Sequence, residues 1–333
     1  IFGGIRRIGQ VAARLVPAMV LLYMLCGFII LIGNITKLDD IFLLIIHDAF
    51  TGHAVAGGAF FTVFRIGFRR AAFSNEAGIG TESMAHGAAI TNEPVREGLV
   101  AMLGPMIDTL IVCSITGFII LTSGIWDAKF QTTEEIELTS EATTIIDIGN
   151  IHEFNQPNKN WIGLEFYVPT NKKNDGGFIV VDSLYSNSSI YCHFKSEPSK
   201  TIIVKKGNWF KLKAEGIILT TMSFNKEIGS FGGIILMIIV IIFGITTIIG
   251  YSYYGSKCTA FLFGNKWKQY YRVIYVLSLI PAAIISMDII INYVDGMFAM
   301  MAIPTMISTI LLAPKVITSA RDYFSQLDDK KSI

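Results

Sequence analysis

A short polar run interrupts an otherwise apolar segment that extends from residue 54 to residue 91. The run is FSNEAGIG, from Phe73 to Gly80, and a continuous membrane-spanning helix would not contain it. Inside a bilayer every backbone N–H and C=O group needs a partner, so an interrupted helix persists only where protein or a polar cavity surrounds it. The two helix ends at such a break offer free carbonyl groups and free N–H groups. The run therefore predicts a binding site for a small zwitterion together with a metal ion or a proton.

The composition indicates a membrane protein. Hydrophobic residues make up 52% of the chain and charged residues 16%, whereas soluble domains contain roughly 25% charged residues. Apolar runs of about 18 or more residues qualify as membrane spans, and we predict six of them. They are the interrupted segment and residues 15–33, 98–123, 231–253, 270–288 and 292–313.

The charge pattern fixes the expected orientation and argues against some partners. Arginines precede the first span and aspartates follow it, which indicates a path from inside to outside. A basic cluster after the fourth span, Lys257, Lys266, Lys268 and Arg272, marks the inner side. A net charge of +1 without a basic face argues against nucleic-acid binding. We therefore expect a multi-pass protein of the plasma membrane, which in a bacterium is the inner membrane, with the lipid bilayer as a partner.

Residues 128–215 differ in kind from the rest of the chain. They have mixed charge, and short β-leaning runs such as 161–168 and 178–182 are separated by turn residues, which is typical of a small antiparallel sheet. We expect three parts: membrane helices in 1–127, an inserted soluble β-rich module in 128–215, and membrane helices with a cytoplasmic tail in 216–333. The flanking spans reach and leave the outer side, so the module is expected to be extracytoplasmic.

Two carboxylates within the apolar segments are candidates for ion coupling. Glu76 can serve a ligand amine, a proton step, or an ion pair with Arg69 or Arg70. Asp108 can form a hydrogen bond between helices or couple an ion or a proton. The sequence leaves these alternatives open.

Two adjacent threonines are candidates for a sodium site. Sodium is a hard cation and prefers oxygen ligands, which the hydroxyls of Thr246 and Thr247 can supply. A helical threonine can instead bond back to a carbonyl of the preceding turn. The histidines do not have metal-ligand spacing, so His86 is expected to make an ordinary polar contact, and no cofactor is predicted beyond a coupling ion.

Six strings of the sequence match one known family in the same order: Gly3–Gly9, Leu15–Pro17, Phe73–Gly78, Ile107–Thr109, Thr247–Gly255 and Ala302–Pro304. Along both membrane parts the chain resembles the alanine or glycine:cation symporters, the sodium:alanine symporter family of the amino acid-polyamine-organocation superfamily. The SNEAG string with its surroundings is far more specific than a lone glycine motif.

The resemblance implies a fold, a substrate and a site. The fold is an all-α polytopic membrane protein of the LeuT-like inverted-repeat type, with helices five to ten in this chain and the β-rich module inserted. The substrate is a small neutral amino acid, alanine or glycine, moved together with sodium or protons by alternating access. On this mapping the substrate pocket is lined by Phe73, Ser74, Asn75, Gly78, Thr247 and Tyr251.

The chain also departs from the family pattern. Tyr251 stands where the family typically has tryptophan, and Thr305 replaces an asparagine. The module takes the place of a short loop, and the family pattern resumes near Gly216. Helix one, which supplies half of both sites in the family, is not in the chain, so we expect an N-terminally incomplete piece that does not transport by itself.

A rival hypothesis is a membrane sensor that does not transport and that presents the outer β module to a ligand. Deletion of residues 128–215 distinguishes the two, because a transporter keeps uptake and a sensor loses its output. An enzyme is not expected, because the sequence shows no nucleophile and base pair, phosphate-binding loop or metal cluster.

Overall fold

The computed structural model describes residues 4–50, 61, 64, 67, 76–139, 143–152, 161–168, 177–186, 189–195, 201–214, 216–285 and 287–331. The chain divides into two compact units. Unit 1 contains Ile1–Met24, Leu43–Ile115 and Ile239–Ile333, and unit 2 contains Leu25–Phe42 and Thr116–Ile238.

The first four described helices lie before residue 90. They are α1 (Gly4–Gly33), α2 (Ile35–Phe50), α3 (Glu76–Ile79) and α4 (Glu82–His86). Helix α1 contains Arg6, Arg7 and Arg14 in its N-terminal part, is mostly apolar from Leu15 onward and contains Pro17. Between α3 and α4, Gly80 has φ +84°, which is a left-handed conformation that glycine adopts without strain and that ends α3. Helix α4 ends at His86, before the interrupted apolar segment ends at residue 91.

The next membrane segment is helical but not uniformly so. It consists of α5 (Pro94–Ala101), α6 (Leu103–Pro105), a π-helical turn (Met106–Val112) and α7 (Cys113–Ser123). Pro105 has no N–H group to donate to the preceding turn, and the wider turn follows it directly. Asp108 lies within this π-helical turn.

Four described helices follow residue 215. They are α8 (Gly216–Ile228), α9 (Ser230–Phe263), α10 (Trp267–Ala282) and α11 (Met287–Lys331). Helix α11 continues through Pro304 and Pro314, so the tail that the sequence placed after residue 313 is helical as far as Lys331.

Within the described residues, four helical segments are long and apolar enough to cross a membrane. They are Ile8–Gly33, Pro94–Ser123, Ser230–Phe263 and Ile289–Leu327. Of the six predicted spans, the interrupted one at 54–91 lies half outside the described residues, which include 61, 64, 67 and 76–91 of it. The predicted span at 270–288 is the 16-residue helix α10, which ends at Ala282 directly after Pro281 and is too short by itself.

The described strands all lie between residues 129 and 213. They are β1 (Lys129–Thr132), β2 (Ile136–Thr139), β3 (Thr143–His152), β4 (Glu165–Val168), β5 (Gly177–Ser186), β6 (Ser189–Lys195), β7 (Thr201–Val204) and β8 (Trp209–Lys213). Six of them close into an antiparallel barrel in the order β1-β3-β6-β5-β4-β8, and β2 pairs with β7. Closure leaves the barrel without an unpaired edge.

The barrel encloses an aromatic core. The ring of Phe130 stacks on Phe210 with centroids 4.8 Å apart and meets Phe166 edge-on at 4.9 Å. Trp161 packs against Phe130 at 5.7 Å. The sequence read 161–168 as one extended run, but the strand begins at Glu165, because Trp161 lies in a turn that Gly163 completes at φ +83°.

Within unit 2, side chains of α8 form hydrogen bonds with residues at the ends of α1 and α7. Asn34 Nδ2, directly after α1, donates to Glu227 Oε2 at 2.6 Å. Lys226 Nζ donates to the carbonyl of Ser123 at 2.6 Å, and Ser123 Oγ donates to Ser223 Oγ at 2.9 Å. These bonds hold α8 to the last residues of α1 and α7.

We expect the barrel core to depend strongly on Phe130. Replacement by alanine removes a fully buried ring, and such truncations cost about 3–5 kcal/mol of unfolding free energy. Cys192 is a local reporter, because burial raises the pKa of its thiol to about 12 and the folded barrel keeps it protonated and covered. In a protein with Cys192 as its only cysteine, Phe130→Ala should lower the urea concentration at which a maleimide labels the thiol.

The matched control is Ile203→Ala, because the Ile203 side chain is 59% exposed on β7. This variant should label at the same urea concentration as the parent. Equal labelling curves for Phe130→Ala and Ile203→Ala would contradict the described core.

Candidate functional site

A cavity of about 680 Å³ lies within unit 1. Its walls come from α1, α3, α4, α6 with the π-helical turn, and α9. Most of the wall is aliphatic, as is usual for small-molecule sites, and a few polar groups converge on it. The polar side chains on the wall are Glu76, Glu82, His86, Asp108, Thr246, Thr247, Tyr253 and Tyr254.

The cavity gathers the four residues that the sequence singled out for ion coupling. Glu76, Asp108, Thr246 and Thr247 come from three separate parts of the chain and all line it. Glu76 opens α3, Asp108 lies in the π-helical turn, and the threonines lie on α9. The structure thus brings these oxygen-bearing side chains to one cavity.

The predicted substrate residues divide into three groups. Thr247 lines the cavity, whereas Gly78 and Tyr251 are described and are not on its wall. The ring of Tyr251 lies 6.5 Å from Phe298 of α11 and 5.6 Å from Tyr254. Tyr251 therefore occupies the edge of the α9 face and packs toward α11. The remaining predicted residues, Phe73, Ser74 and Asn75, lie outside the described residues, as do Arg69 and Arg70.

A side-chain hydrogen bond connects α9 with the start of α3. The hydroxyl of Tyr254 donates to Glu76 Oε2 at 2.7 Å. Both residues line the cavity, and 178 positions separate them in the sequence. A hydrogen bond to a carboxylate is roughly twice as strong as one between neutral groups, so this contact fixes the direction of the carboxylate.

Backbone groups at the break between α3 and α4 have identified partners. The N–H of Gly80 donates to the carbonyl of Glu76 at 2.8 Å. Ser83 Oγ donates to the carbonyl of Gly80 at 3.0 Å. Thr305 of α11 places its hydroxyl 3.4 Å from the carbonyl of Ile79 and also donates to Met301 at 2.8 Å. The break is therefore stabilised from α11 as well as from its own turn.

The two threonines of α9 differ in their hydroxyl contacts. Thr246 Oγ1 bonds back to the carbonyls of Ile242 and Phe243, at 3.1 and 2.9 Å, which is the local alternative that the sequence left open. Its oxygen still carries lone pairs that a cation can use. For Thr247, no hydrogen bond of the hydroxyl is found among the described residues, so its oxygen can face a ligand.

His86 lies between two carboxylates at the wall. Its Nδ1 is 2.7 Å from Glu97 Oε1 of α5, and its Nε2 is 3.8 Å from Glu82 Oε1 one turn earlier. The expected ordinary polar contact is thus a contact with two acids beside the cavity. In the part of the chain that the structure describes, no group of three or more His, Cys, Asp or Glu side chains could hold a metal ion.

Four polar residues of the wall were not predicted from the sequence as site residues: Glu82, His86, Tyr253 and Tyr254. Helical spacing could have found the tyrosines, because residues three, four and seven positions apart share a face. Tyr253 and Tyr254 follow Thr246 and Thr247 by seven positions. The hydroxyl of Tyr253 is buried without a hydrogen-bond partner among the described residues, and Lys257 Nζ lies 5.5 Å from its ring centroid.

Comparison with known proteins gives a consistent result. The model of the Sodium:alanine symporter family matches residues 1–154 and 175–333. The sodium/alanine symporter AgcS of Methanococcus maripaludis is 28% identical over 323 residues, which are 97% of this chain and 53% of that protein. An uncharacterized transporter of Haemophilus influenzae is 28% identical over 332 residues, which are 98% of this chain and 55% of that protein.

A shorter match has higher identity. The putative sodium/proton-dependent alanine carrier protein YrbD of Bacillus subtilis is 39% identical over 129 residues, 39% of this chain and 27% of that protein. The chain spans about half the length of the first two relatives. The residues that match the family include 128–154 and 175–215. These make up most of the segment 128–215, which was predicted to be an insert.

We expect Gly80→Ala to destabilise the break. The residue has φ +84°, and a Cβ there would collide with the side chain of Thr305. Backbone strain of this kind costs about 1–3 kcal/mol, so the unfolding temperature in detergent should fall. Adding Thr305→Ala should restore part of the loss, because it removes the two closest atoms of the collision and leaves only the contact with the Cβ of residue 305 at 2.9 Å and the backbone strain.

The control for this substitution is Gly244→Ala on α9, where no atom lies within 4 Å of the added Cβ. Alanine is a better helix former than glycine, so this variant should unfold at the same temperature or slightly higher. An unchanged unfolding temperature for Gly80→Ala would show that the described turn is incorrect.

Proposed function

Because the chain belongs to the Sodium:alanine symporter family, we propose that it acts in the secondary active symport of a small neutral amino acid, alanine or glycine, with sodium or protons. It is a multi-pass membrane protein of a transporter family. The observation that carries the proposal is the cavity beside the helix break, where Glu76, Asp108, Thr246 and Thr247 meet. A largely apolar cavity with a few oxygen ligands suits a small zwitterion and a hard cation.

We assign the substrate to the break and the adjacent face of α9. Asn75 offers amide donors and an acceptor, and Ser74 offers a hydroxyl. Phe73 and Gly78 complete the segment, and glycine lets a ligand approach the backbone. Thr247 faces the same space from α9, with Tyr251 at the edge of that face. The relative AgcS is named a sodium/alanine symporter, which supports alanine as the substrate to test.

The coupling ion is assigned to the oxygen groups of the wall. Thr246 and Thr247 supply hydroxyl oxygens, and Glu76 and Asp108 supply carboxylates. These are the ligands that a hard cation prefers, and a carboxylate can alternatively carry a proton. The relative YrbD is named a putative sodium/proton-dependent alanine carrier protein, which supports testing both ions. No cofactor beyond the ion is proposed.

Alternating access is the proposed mechanism. On this account the helices are numbers five to ten of a LeuT-like fold with two inverted five-helix repeats, and the run from Phe73 to Gly80 is the break in helix six. Ion binding stabilises the outward-open state that is competent for substrate, and binding of both favours occlusion. In this way the binding free energy of the ion and the substrate changes the populations of the outward-open and occluded states.

The barrel is assigned to the extracytoplasmic side. The inner side follows α9, where Lys266, Lys268 and Arg272 are clustered. Helix α9 is long enough to cross the bilayer, so its first residue, Ser230, lies at the outer side. The barrel precedes that end of the helix.

The first test is uptake of radiolabelled alanine into proteoliposomes by the natural protein. An inward sodium or proton gradient should drive uptake, and Asn75→Ala should reduce it at least about tenfold, since an amide that binds substrate is lost. Asn265→Ala, in the turn after α9, is the control and should transport normally. Normal uptake by Asn75→Ala would remove the helix-six assignment, and no uptake by the natural protein under either gradient would contradict the transport proposal.

A second test concerns orientation. Single-cysteine proteins carry either Tyr185→Cys, which is 60% exposed on β5, or Lys266→Cys after α9. In intact cells a membrane-impermeant maleimide should label the barrel cysteine at once and the Lys266→Cys protein only after permeabilisation. The reverse pattern would invert the proposed topology.

A further inference from the structure

The position of the hydrogen bond between Tyr254 and Glu76 indicates a role beyond the packing of α9 against α3. Glu76 is the first residue of α3 and directly follows the polar FSN sequence. The Tyr254 hydroxyl reaches Glu76 Oε2 at 2.7 Å from α9. Donor and acceptor both line the cavity, so the bond lies at its wall and not behind it.

The geometry points to Tyr254 as a positioning residue that holds the Glu76 carboxylate toward the cavity for a cationic group. This inference rests on the proposed transport function. An ionised carboxylate has about four lone-pair sites, and the tyrosine hydroxyl uses one of them. The other oxygen remains for the coupling cation or for the ammonium group of the amino acid.

The charged side chains of the cavity wall favour binding of a cation. Glu76, Glu82 and Asp108 are on the wall, and none of the described residues that line the cavity is a lysine or an arginine. His86 is engaged with Glu97 and Glu82. Carboxylates in an apolar, membrane-embedded space are costly unless a positive group pairs with them.

Packing fixes the position of the Tyr254 ring. It meets the Tyr251 ring edge-on at 5.6 Å, and Tyr251 in turn packs against Phe298 of α11. Because aromatic neighbours restrict the ring, the hydroxyl delivers its hydrogen bond from a defined point. The other end of α3 is held separately, by Thr305 at the Ile79 carbonyl. Loss of the tyrosine hydroxyl therefore frees the carboxylate without freeing the whole turn.

The test is Tyr254→Phe, which keeps the ring and removes the hydroxyl. The half-saturating sodium concentration and the alanine KM are measured in proteoliposomes. At least one of them should rise about tenfold, the size expected when a hydrogen bond to a charged group is lost. A rise for sodium assigns the carboxylate to the coupling cation, and a rise for alanine assigns it to the ammonium group. No change in either value would overturn the inference.

The matched control is Tyr275→Phe. Its hydroxyl donates to the backbone carbonyl of Ile248 at 3.0 Å, and it does not line the cavity. This variant loses a tyrosine hydrogen bond of similar length between helices, so any general effect on folding appears in it too. Both half-saturation values should stay at those of the parent.

A double-mutant cycle with Glu76→Gln decides whether the tyrosine acts through the carboxylate. If it does, Tyr254→Phe has little further effect on ligand affinity once the charge is removed, and the two changes are strongly non-additive. Additive effects would contradict the inference.

A binding measurement provides a readout besides transport. Sodium or alanine that binds the folded protein raises its unfolding temperature. Tyr254→Phe should need about tenfold more of the affected ligand for the same rise. If the parent shows neither ligand-dependent uptake nor a ligand-dependent shift, the proposed function fails; if the parent shows both and Tyr254→Phe matches it, only the positioning role fails.

Discussion

The arrangement around the α3–α4 break depends on partners for the backbone groups that the break frees. A buried carbonyl group without a hydrogen-bond partner is costly, so these carbonyl groups need partners within the protein. The carbonyl of Ile79 faces the Thr305 hydroxyl, and that of Gly80 accepts from Ser83. Gly80 can take the left-handed turn only because it has no Cβ, and the same absence lets α11 approach closely.

Helix α9 connects this turn to the rest of unit 1 through one of its faces and the edge of that face. One face carries Thr246, Thr247 and Tyr254 into the cavity, where Tyr254 holds Glu76. The edge of that face carries Tyr251 toward Phe298 of α11. A change at the ligand site can therefore reach α3 and α11 through direct contacts. Such a connected set of helices is what alternating access requires, because a ligand must favour one arrangement of the helices over another.

The sequence predicts the part of the site that depends on local pattern. The break, the acids Glu76 and Asp108 and the threonine pair of α9 are visible as polar residues in apolar segments, and four of these side chains meet at one cavity. Tyr254 could not be assigned a partner in this way, because 178 positions separate it from Glu76 and only tertiary packing joins them. The turn at Trp161 was missed for a similar reason, since a single left-handed glycine overrides the alternating pattern of the strand. The short helix α10 shows that hydropathy locates an apolar run but does not give the length of its helix.

Binding of the amino acid and its ion at the α9 wall beside the break, as we propose, is tested most directly by ligand protection of a cysteine. In a protein with Thr247→Cys as the only cysteine, alanine and sodium together should slow maleimide labelling of that thiol, and either ligand alone should slow it less. Thr259→Cys, on the same helix and not on the cavity wall, should label at a constant rate. Equal labelling of Thr247→Cys with and without both ligands, in protein that still takes up alanine, would place the binding site elsewhere.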